Sequence, residues 1–494
     1  MDSITLFGLS GAWAVGIGAV VYGLGLLSAV DAVMNTRTPQ GATAWVFALA
    51  TLPLVAIPLY FVFGRSRFDD YTEALERFDA AVREGVEGAR HGPLGPYLVE
   101  PEEATSQEGG AAREEGEMRA FGALSTVPFT RGNSVRLLVD GDETFEAVFA
   151  GIDAAERYVL AQFYIIHDDR IGRAFKDRLV AAAGRGVDVR LLYDSVGSWR
   201  LPRAYKRELE AAGVEVCPFT GPRNWLKKLR LNFRNHRKIV VVDGVRAYVG
   251  GLNVGDEYLG QDPDIGRWRD THLKVEGPMV QGLQLSFARD WFYGTRDRIA
   301  ALAWDPTPAR DDDACGLTLA SGPDDDLETC GLLYAHAIES AEERIWIATP
   351  YFVPDGRVLG ALQLAALRGV DVRVLMPRKS DSALFKYVPY AYLDEVTRAG
   401  VRTFLYEDGF MHQKVALVDR DFATVGTANF DNRSFRLNFE VTAVVRDRDF
   451  CDDVATMLER DLDRATEITD EDLDGKSFAF RFAANATRLL APIL

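Results

Sequence analysis

Two stretches of the chain carry the same reactive side chains at the same spacing. The first reads His236-Arg-Lys238-Ile-Val-Val-Val-Asp243 and continues to Gly250-Gly251-Leu-Asn253. The second reads His412-Gln-Lys414-Val-Ala-Leu-Val-Asp419 and continues to Gly426-Thr427-Ala-Asn429. In both, Asp follows His by seven positions and Asn follows it by seventeen. The chain has only six histidines, so two in matched positions is a strong signal where a single His-x-Lys would be worth little. Each set offers an imidazole able to act as nucleophile or acid near pH 7, an ammonium, and a neutral amide donor. Phosphodiesters are anionic and repel anionic nucleophiles, so their site needs positive charge and a neutral nucleophile. Two such sets facing each other would surround a single phosphate.

The elements that must hold these groups are legible around them. Lys238–Val242 and Arg246–Val249 have strand composition and meet at Asp243-Gly244, a hairpin signal. Alternate residues of a strand share a face, which puts His236 with Lys238 and His412 with Lys414. Asp243 and Asp419 fall at the turns, a place suited to bracing the hairpin rather than touching substrate. The glycines after each return strand allow close approach of a ligand, and Asn253 and Asn429 can donate to phosphate oxygens.

The body around the motifs is duplicated. Glu156-Arg157 before Tyr158–Ile165 matches Glu343-Arg344 before Ile345–Phe352, Gly186–Arg190 is repeated letter for letter as Gly369–Arg373, and Ala212-Gly213-Val214 returns as Ala399-Gly400-Val401. Three matches in one order predict two copies of an α/β domain, with mixed sheets flanked by helices, over residues 125–310 and 311–494. Relative to the second copy, the first carries extra residues within Arg223–Arg234, where cations alternate with Trp225, Leu229 and Phe233. That composition suits a lipid headgroup layer as well as it suits a solvated helix face.

Ahead of the body, no charged residue lies between Asp2 and Asp31, and none between Arg37 and Arg65. Each interval exceeds the roughly 20 residues a helix needs to cross about 30 Å of hydrocarbon. The reading is a two-helix transmembrane hairpin over residues 1–66, with Pro53 and Pro58 as kinks in the second span. A cleaved signal peptide fits less well, since Met-Asp-Ser has no cation and a second apolar run follows. One cation in the turn, Arg37, against Arg65, Arg67 and Arg77 beyond the second span places the large domain in the cytoplasm. Residues 67–124 are rich in acid, with 14 acidic and 5 basic side chains over 69–120, and read as a linker around Glu100–Glu117 with a possible helix at Tyr71–Arg90.

A net charge of −17 opposes nucleic acid as a partner, since binding it needs a positive field. Cys217, Cys315, Cys330 and Cys451 form no C-x-x-C pair and have no histidine cluster beside them, so no metal site or cofactor is expected.

The doubled motif resembles the signature of the phospholipase D superfamily, H-x-K-x4-D-x6-G-[GS]-x-N. Within it the chain is similar to bacterial cardiolipin synthases. The residues that carry this are Asn235–Lys238, Gly266-Arg267-Trp268-Arg269-Asp270-Thr271-His272, Asn429-Phe-Asp431-Asn-Arg433-Ser434-Phe435, Asn438-Phe-Glu440 and, in the N-terminal part, Arg37-Thr38-Pro39, Ala44-Trp45, Tyr60 and Phe63-Gly64. The resemblance implies catalytic positions at His236, Lys238, Asp243, His412, Lys414 and Asp419, with Asn253, Asn429, Glu440 and Asp270 in support. Glu440 and Asp270 would orient the histidines. It implies a metal-free transfer through a phosphohistidine on His236, with His412 as acid and base. The substrate would be phosphatidylglycerol or another anionic phospholipid, and the location the bacterial inner membrane. A hydrolytic phospholipase D would use the same intermediate with water as acceptor. A phosphatidylserine synthase is a more distant reading. An inert scaffold is opposed by the intact His, Lys and Asn of both copies.

Overall fold

From Gly11 onward the first apolar run lies in one continuous helix, α1 (Gly11–Asn35). It opens a computed structural model that describes residues 11–36, 38–64, 68–90, 92–99, 109–220, 232–263, 265–380 and 385–491. The chain divides into two compact units, one holding Met1–Asp70 with Thr220–Phe233, the other Tyr71–Phe219 with Arg234–Pro492. Trp13, Leu27 and Met34 of α1 face outward, an apolar surface that a bilayer would cover. Thr38 caps α2 (Pro39–Thr51), its hydroxyl oxygen accepting the Gly41 N–H. The second apolar run is not one helix. Leu52 leaves helical geometry at φ −132°, and Pro53 starts the shorter α3 (Pro53–Leu59), which passes into a π turn at Tyr60–Gly64. Proline has no N–H to continue the ladder, so Pro53 divides the run where the sequence suggests only a kink. Among the described residues, Val15–Asn35 alone is long and apolar enough to span a membrane. The expected pair of continuous helices is therefore one long helix and one broken one.

These pieces pack through Ala29, Ala32, Leu49, Ala56 and Tyr60. A Cβ on Gly25 would lie 2.7 Å from the Leu49 carbonyl, so glycine is what lets the helices approach. The Tyr60 hydroxyl donates to the Asp31 carboxylate at 2.6 Å, giving that acid a partner inside an apolar setting. Arg37, Arg65 and Arg67, on which the orientation reading depends, lie outside the described residues, as does 221–231 of the basic insertion.

In the second unit the duplication is visible as topology. The first copy supplies β1 (Thr130–Val139), β2 (Tyr158–Phe163), β3 (Asp188–Asp194), β4 (Glu215–Phe219), β5 (Ile239–Val242), β6 (Arg246–Gly250) and β7 (Thr271–Glu276). The second supplies β8 (Ala314–Ser321), β9 (Arg344–Ala348), β10 (Asp371–Pro377), β11 (Arg402–Tyr406), β12 (Val415–Val418), β13 (Phe422–Gly426), β14 (Asn438–Arg446) and β15 (Ala465–Ile468). β1 and β8 pair antiparallel at the seam, Thr130 opposite Gly316. Outward from there, one side runs β1-β7-β6-β5-β2-β3-β4 and the other β8-β14-β13-β12-β9-β10-β11-β15. The matching order, with β2-β3-β4 and β9-β10-β11 paired in parallel, is what two copies of one domain should give. Each side has its own apolar core.

The acidic stretch is not simply a linker. Helix α4 (Asp69–Arg90) buries Tyr71 and Leu75, with Phe78 and Val82 continuing the helical stripe. Helix α5 (Gly109–Leu124) puts Phe121 into the second core and turns Glu117 onto Arg446 at 3.3 Å. Helix α4 falls on the helix expected at Tyr71–Arg90, while α5 overlaps the linker expected around Glu100–Glu117.

Candidate active site

Each histidine is placed by the opposite copy. The short strand Arg234–Asn235 pairs in parallel with the start of β14, and the His236 N–H donates to the Phe439 carbonyl at 2.9 Å. Likewise Phe410–Met411 pairs with Trp268–Arg269, and the His412 N–H donates to the Arg269 carbonyl at 2.7 Å. In each case the next residue of the partner segment is the carboxylate that meets the imidazole. Glu440 oxygens lie 2.9 and 3.0 Å from His236 Nδ1, and Asp270 Oδ2 lies 2.8 Å from His412 Nδ1.

An ionised carboxylate can only accept, so the proton sits on Nδ1 of each ring and Nε2 keeps its lone pair. Lys414 Nζ also lies 2.8 Å from His412 Nδ1, but two donors cannot share one hydrogen bond. Its ammonium is satisfied instead by the His412 carbonyl at 2.5 Å, as Lys238 is by the His236 carbonyl. Segments 236–238 and 412–414 lie just outside the strands, which begin at Ile239 and Val415.

The electrostatics follow from burial. His236 is pushed down to about 4 by loss of water, against the pull of Glu440. Burial, then Lys414, takes His412 to about 3. Lys238 falls to about 7, again chiefly by burial, with Glu440 opposing. Burial would raise Glu440, but His236 and then Lys238 outweigh it and hold the carboxyl below its usual range. Lys414 and His412 do the same to Asp270. Both imidazoles are thus neutral at pH 7 in the free site, beside two anions and two lysines.

Asp243 and Asp419, which the resemblance counts as catalytic, are occupied elsewhere. Asp243 accepts N–H groups from Glu156, Arg157 and Tyr158 at 2.8–3.0 Å, and Asp419 from Glu342, Glu343 and Arg344 at 2.8–2.9 Å. Each clips the first residues of the neighbouring strand, β2 or β9, from a left-handed turn position (φ 55° and 50°). In these positions they brace the fold. Asn253 accepts the Ile165 N–H at 3.1 Å and donates to the Tyr258 hydroxyl, while Asn429 donates to Asp431. The Asn429 Oδ1 is buried without a partner among the described residues.

Sequence reading missed the polar groups beneath the motifs. Asp290, the one acid of α6 (Val280–Thr295), accepts from Gln162, Asn235 and Arg237 at 2.7–2.8 Å. Asp461 of α7 (Arg448–Leu462) accepts from Gln413 and, in two-pronged fashion, from Arg269. For Asp290, a lone acid on a helix otherwise bound for the core was the available signal. Tyr164 and Tyr351, equivalent in the repeat, put their rings 5.0 Å from His236 and 6.4 Å from His412.

With this geometry in place, the matches to other proteins become interpretable. Residues 148–291 and 334–462 match the family described as "Cardiolipin synthase, PLD-like domain". The chain belongs to that family. Residues 23–65 match a second description, "Phospholipase_D-nuclease N-terminal". The chain is 44% identical to Cardiolipin synthase A of Pseudomonas fluorescens over 476 residues, 96% of this chain and 97% of that one. It is also 44% identical to Cardiolipin synthase A of Pseudomonas putida, with the same shares covered. The fold is shared with a phosphatidylserine synthase of Haemophilus influenzae, at TM-score 0.57 and 14% identity over 77% of this chain and all of that one. The chain is therefore an enzyme of the cardiolipin synthase type, with a duplicated phospholipase-D-like body and an apolar N-terminal helix long enough to cross a membrane.

Proposed function

We propose that the enzyme transfers a phosphatidyl group from one phosphatidylglycerol to a hydroxyl of another, giving cardiolipin and glycerol, through a phosphohistidine on His236. The observation that supports this most is the crossed pair of buried imidazoles, each with Nδ1 held by a carboxylate and Nε2 left for chemistry. A phosphodiester entering between them raises the pKa of both rings by its charge, and allows His412 to hold a proton.

In the first half-reaction His236 Nε2 attacks phosphorus, the P–O bond to glycerol breaks, and His412 gives its proton to the departing oxygen. In the second, His412 takes the proton of the acceptor hydroxyl, that oxygen bonds phosphorus, and the P–N bond breaks to return neutral His236. Lys238, Lys414, Asn253 and Asn429 stabilise the non-bridging oxygens as charge builds there. Glu440 and Asp270 fix the tautomers and steady each ring when it carries positive charge.

The N-terminal segment, with both apolar runs crossing the membrane and the body on the cytoplasmic side, would hold the site at the headgroup layer. Acceptor lipid then outcompetes water by proximity. Full-length enzyme in vesicles of labelled phosphatidylglycerol tests the reading. Cardiolipin and glycerol in equal amounts support it, and phosphatidic acid as the sole product assigns a hydrolase instead. Full loss of activity in a chelator, restored by one divalent ion, would overturn the metal-free mechanism.

A further inference from the structure

We infer that Tyr71, on the helix that follows the N-terminal apolar segment, is a positioning residue for His236. The inference rests on His236 being a reacting group, as proposed above.

Tyr71 is 1% exposed, and its hydroxyl donates to Asp290 Oδ1 at 2.7 Å. The other oxygen of that carboxylate, Oδ2, already serves Gln162, Asn235 and Arg237. Among the described residues Tyr71 is the sole donor to Oδ1. Two of the Oδ2 donors, Asn235 and Arg237, flank His236 in the chain, so the Asp290 carboxylate fixes the backbone on both sides of the reacting ring. The aromatic face of Tyr71 meets the second support of the same histidine. Its ring centroid is 4.6 Å from that of Phe439, whose carbonyl accepts the His236 N–H and whose successor is Glu440. One side chain thus touches both structures that aim His236.

Among the described residues the other copy has no such outside member. Asp461 Oδ1 is taken by Arg269, and Oδ2 by Arg269 and Gln413, all from the duplicated body. Helix α4 therefore completes only the His236 side. A buried carboxylate that loses the donor to one oxygen shifts toward the donors of the other, and here two of those three, Asn235 and Arg237, are the chain neighbours of His236.

The test uses full-length enzyme with Tyr71→Phe, which keeps the ring and removes the hydroxyl. Asp79→Asn is the control, because Asp79 ties the same helix through Arg289 at 3.0 Å and does not touch Asp290. Tyr71→Phe should lower kcat about tenfold with KM unchanged, and Asp79→Asn should leave kcat unchanged. Nitrogen NMR of ¹⁵N-histidine-labelled protein, which needs no substrate, should show the His236 resonances displaced in Tyr71→Phe and those of His412 in place. Equal losses of activity in both variants, tracking their melting temperatures, would reduce Tyr71 to a helix anchor and overturn the inference. So would an unmoved His236 signal. If the wild type made no cardiolipin from phosphatidylglycerol, the substrate reading would fall while the NMR comparison still decided the role of Tyr71.

Discussion

The two copies of the body carry one motif but support it by different means. Behind His236, Glu440 accepts hydrogen bonds from Thr427 at 2.6 Å, Ser434 at 2.9 Å and Asn438 at 3.1 Å, a carboxylate enclosed by side chains of its own copy. Behind His412, Asp270 is held by the Thr271 N–H at 2.8 Å and lies at 3.4 Å from the Trp268 indole. The position equivalent to Thr427 is Gly251, where a Cβ would lie 2.0 Å from Asp270 Oδ1. One copy thus uses a hydroxyl where the other needs an absence. Because the carboxylates are exchanged between copies, damage to either one's supporting shell should appear at the histidine of the other.

The largest effects should come from the histidines and should tell them apart. Replacing either by alanine should cost about a thousandfold or more in transfer. With an activated phosphodiester whose leaving group needs no proton, His412→Ala should accumulate an acid-labile phosphoryl adduct on the peptide containing His236. His236→Ala should not. Adduct on His412 in the His236→Ala protein would reverse the assignment of nucleophile.

Next in size are the carboxylates. Glu440→Gln and Asp270→Asn should each lower kcat roughly tenfold to a hundredfold. In ¹⁵N-histidine spectra the first should disturb His236 and the second His412. Disturbance of the ring in the same copy as the substitution would break the crossed arrangement.

The motifs, the duplication and most strands were legible because they depend on local spacing. The hairpin at Asp243 falls where strand composition and the Asp-Gly turn put it, and β2 and β9 fall within the repeated apolar runs. The crossing of Glu440 to His236 was not legible in that way. It depends on contacts 204 residues apart in the chain, and no local pattern encodes which carboxylate meets which ring. Asp243 was read as bracing its own hairpin, whereas its left-handed turn aims the carboxylate at the start of β2. Helix α5 was hidden because four glycines and five charged residues interrupt its sequence, and among its described side chains Met118, Phe121 and Leu124 are the apolar ones that reach the core.

A smaller effect separates Gly251 from Thr427. Gly251→Ala forces a methyl into the Asp270 carboxylate and should displace His412, costing about 1–3 kcal/mol of stability along with activity. Thr427→Val keeps the volume and removes one donor to Glu440, also about 1–3 kcal/mol because the acceptor is buried and charged. Thr427→Ser restores the donor and should recover most of the loss. If Thr427→Ser behaved like Thr427→Val, the threonine would be there for its methyl group, and the contrast between the copies would be one of packing.

The smallest and most selective difference is in pH dependence. Lys238 is lowered in the folded protein from 10.5 to about 7, so between those values the unfolded chain binds more protons than the folded one. Stability must then rise with pH over that window, by at most about 1.4 kcal/mol per unit from this group. His236 and His412 are lowered from 6.5 to about 4 and about 3, so by the same sign stability falls as pH drops below 6.5. Lys238→Met should flatten the alkaline rise and leave the acid fall, while His412→Asn should do the reverse. Activity follows a second rule. In the free enzyme Lys238 loses its charge above pH 7, and kcat/KM should decline there. Bound phosphodiester favours the ammonium, so the decline in kcat should lie at higher pH. Lys238→Arg, which stays charged, should lower activity but abolish the alkaline decline in kcat/KM. A decline that persists unchanged in Lys238→Arg would place the titration on a group other than Lys238.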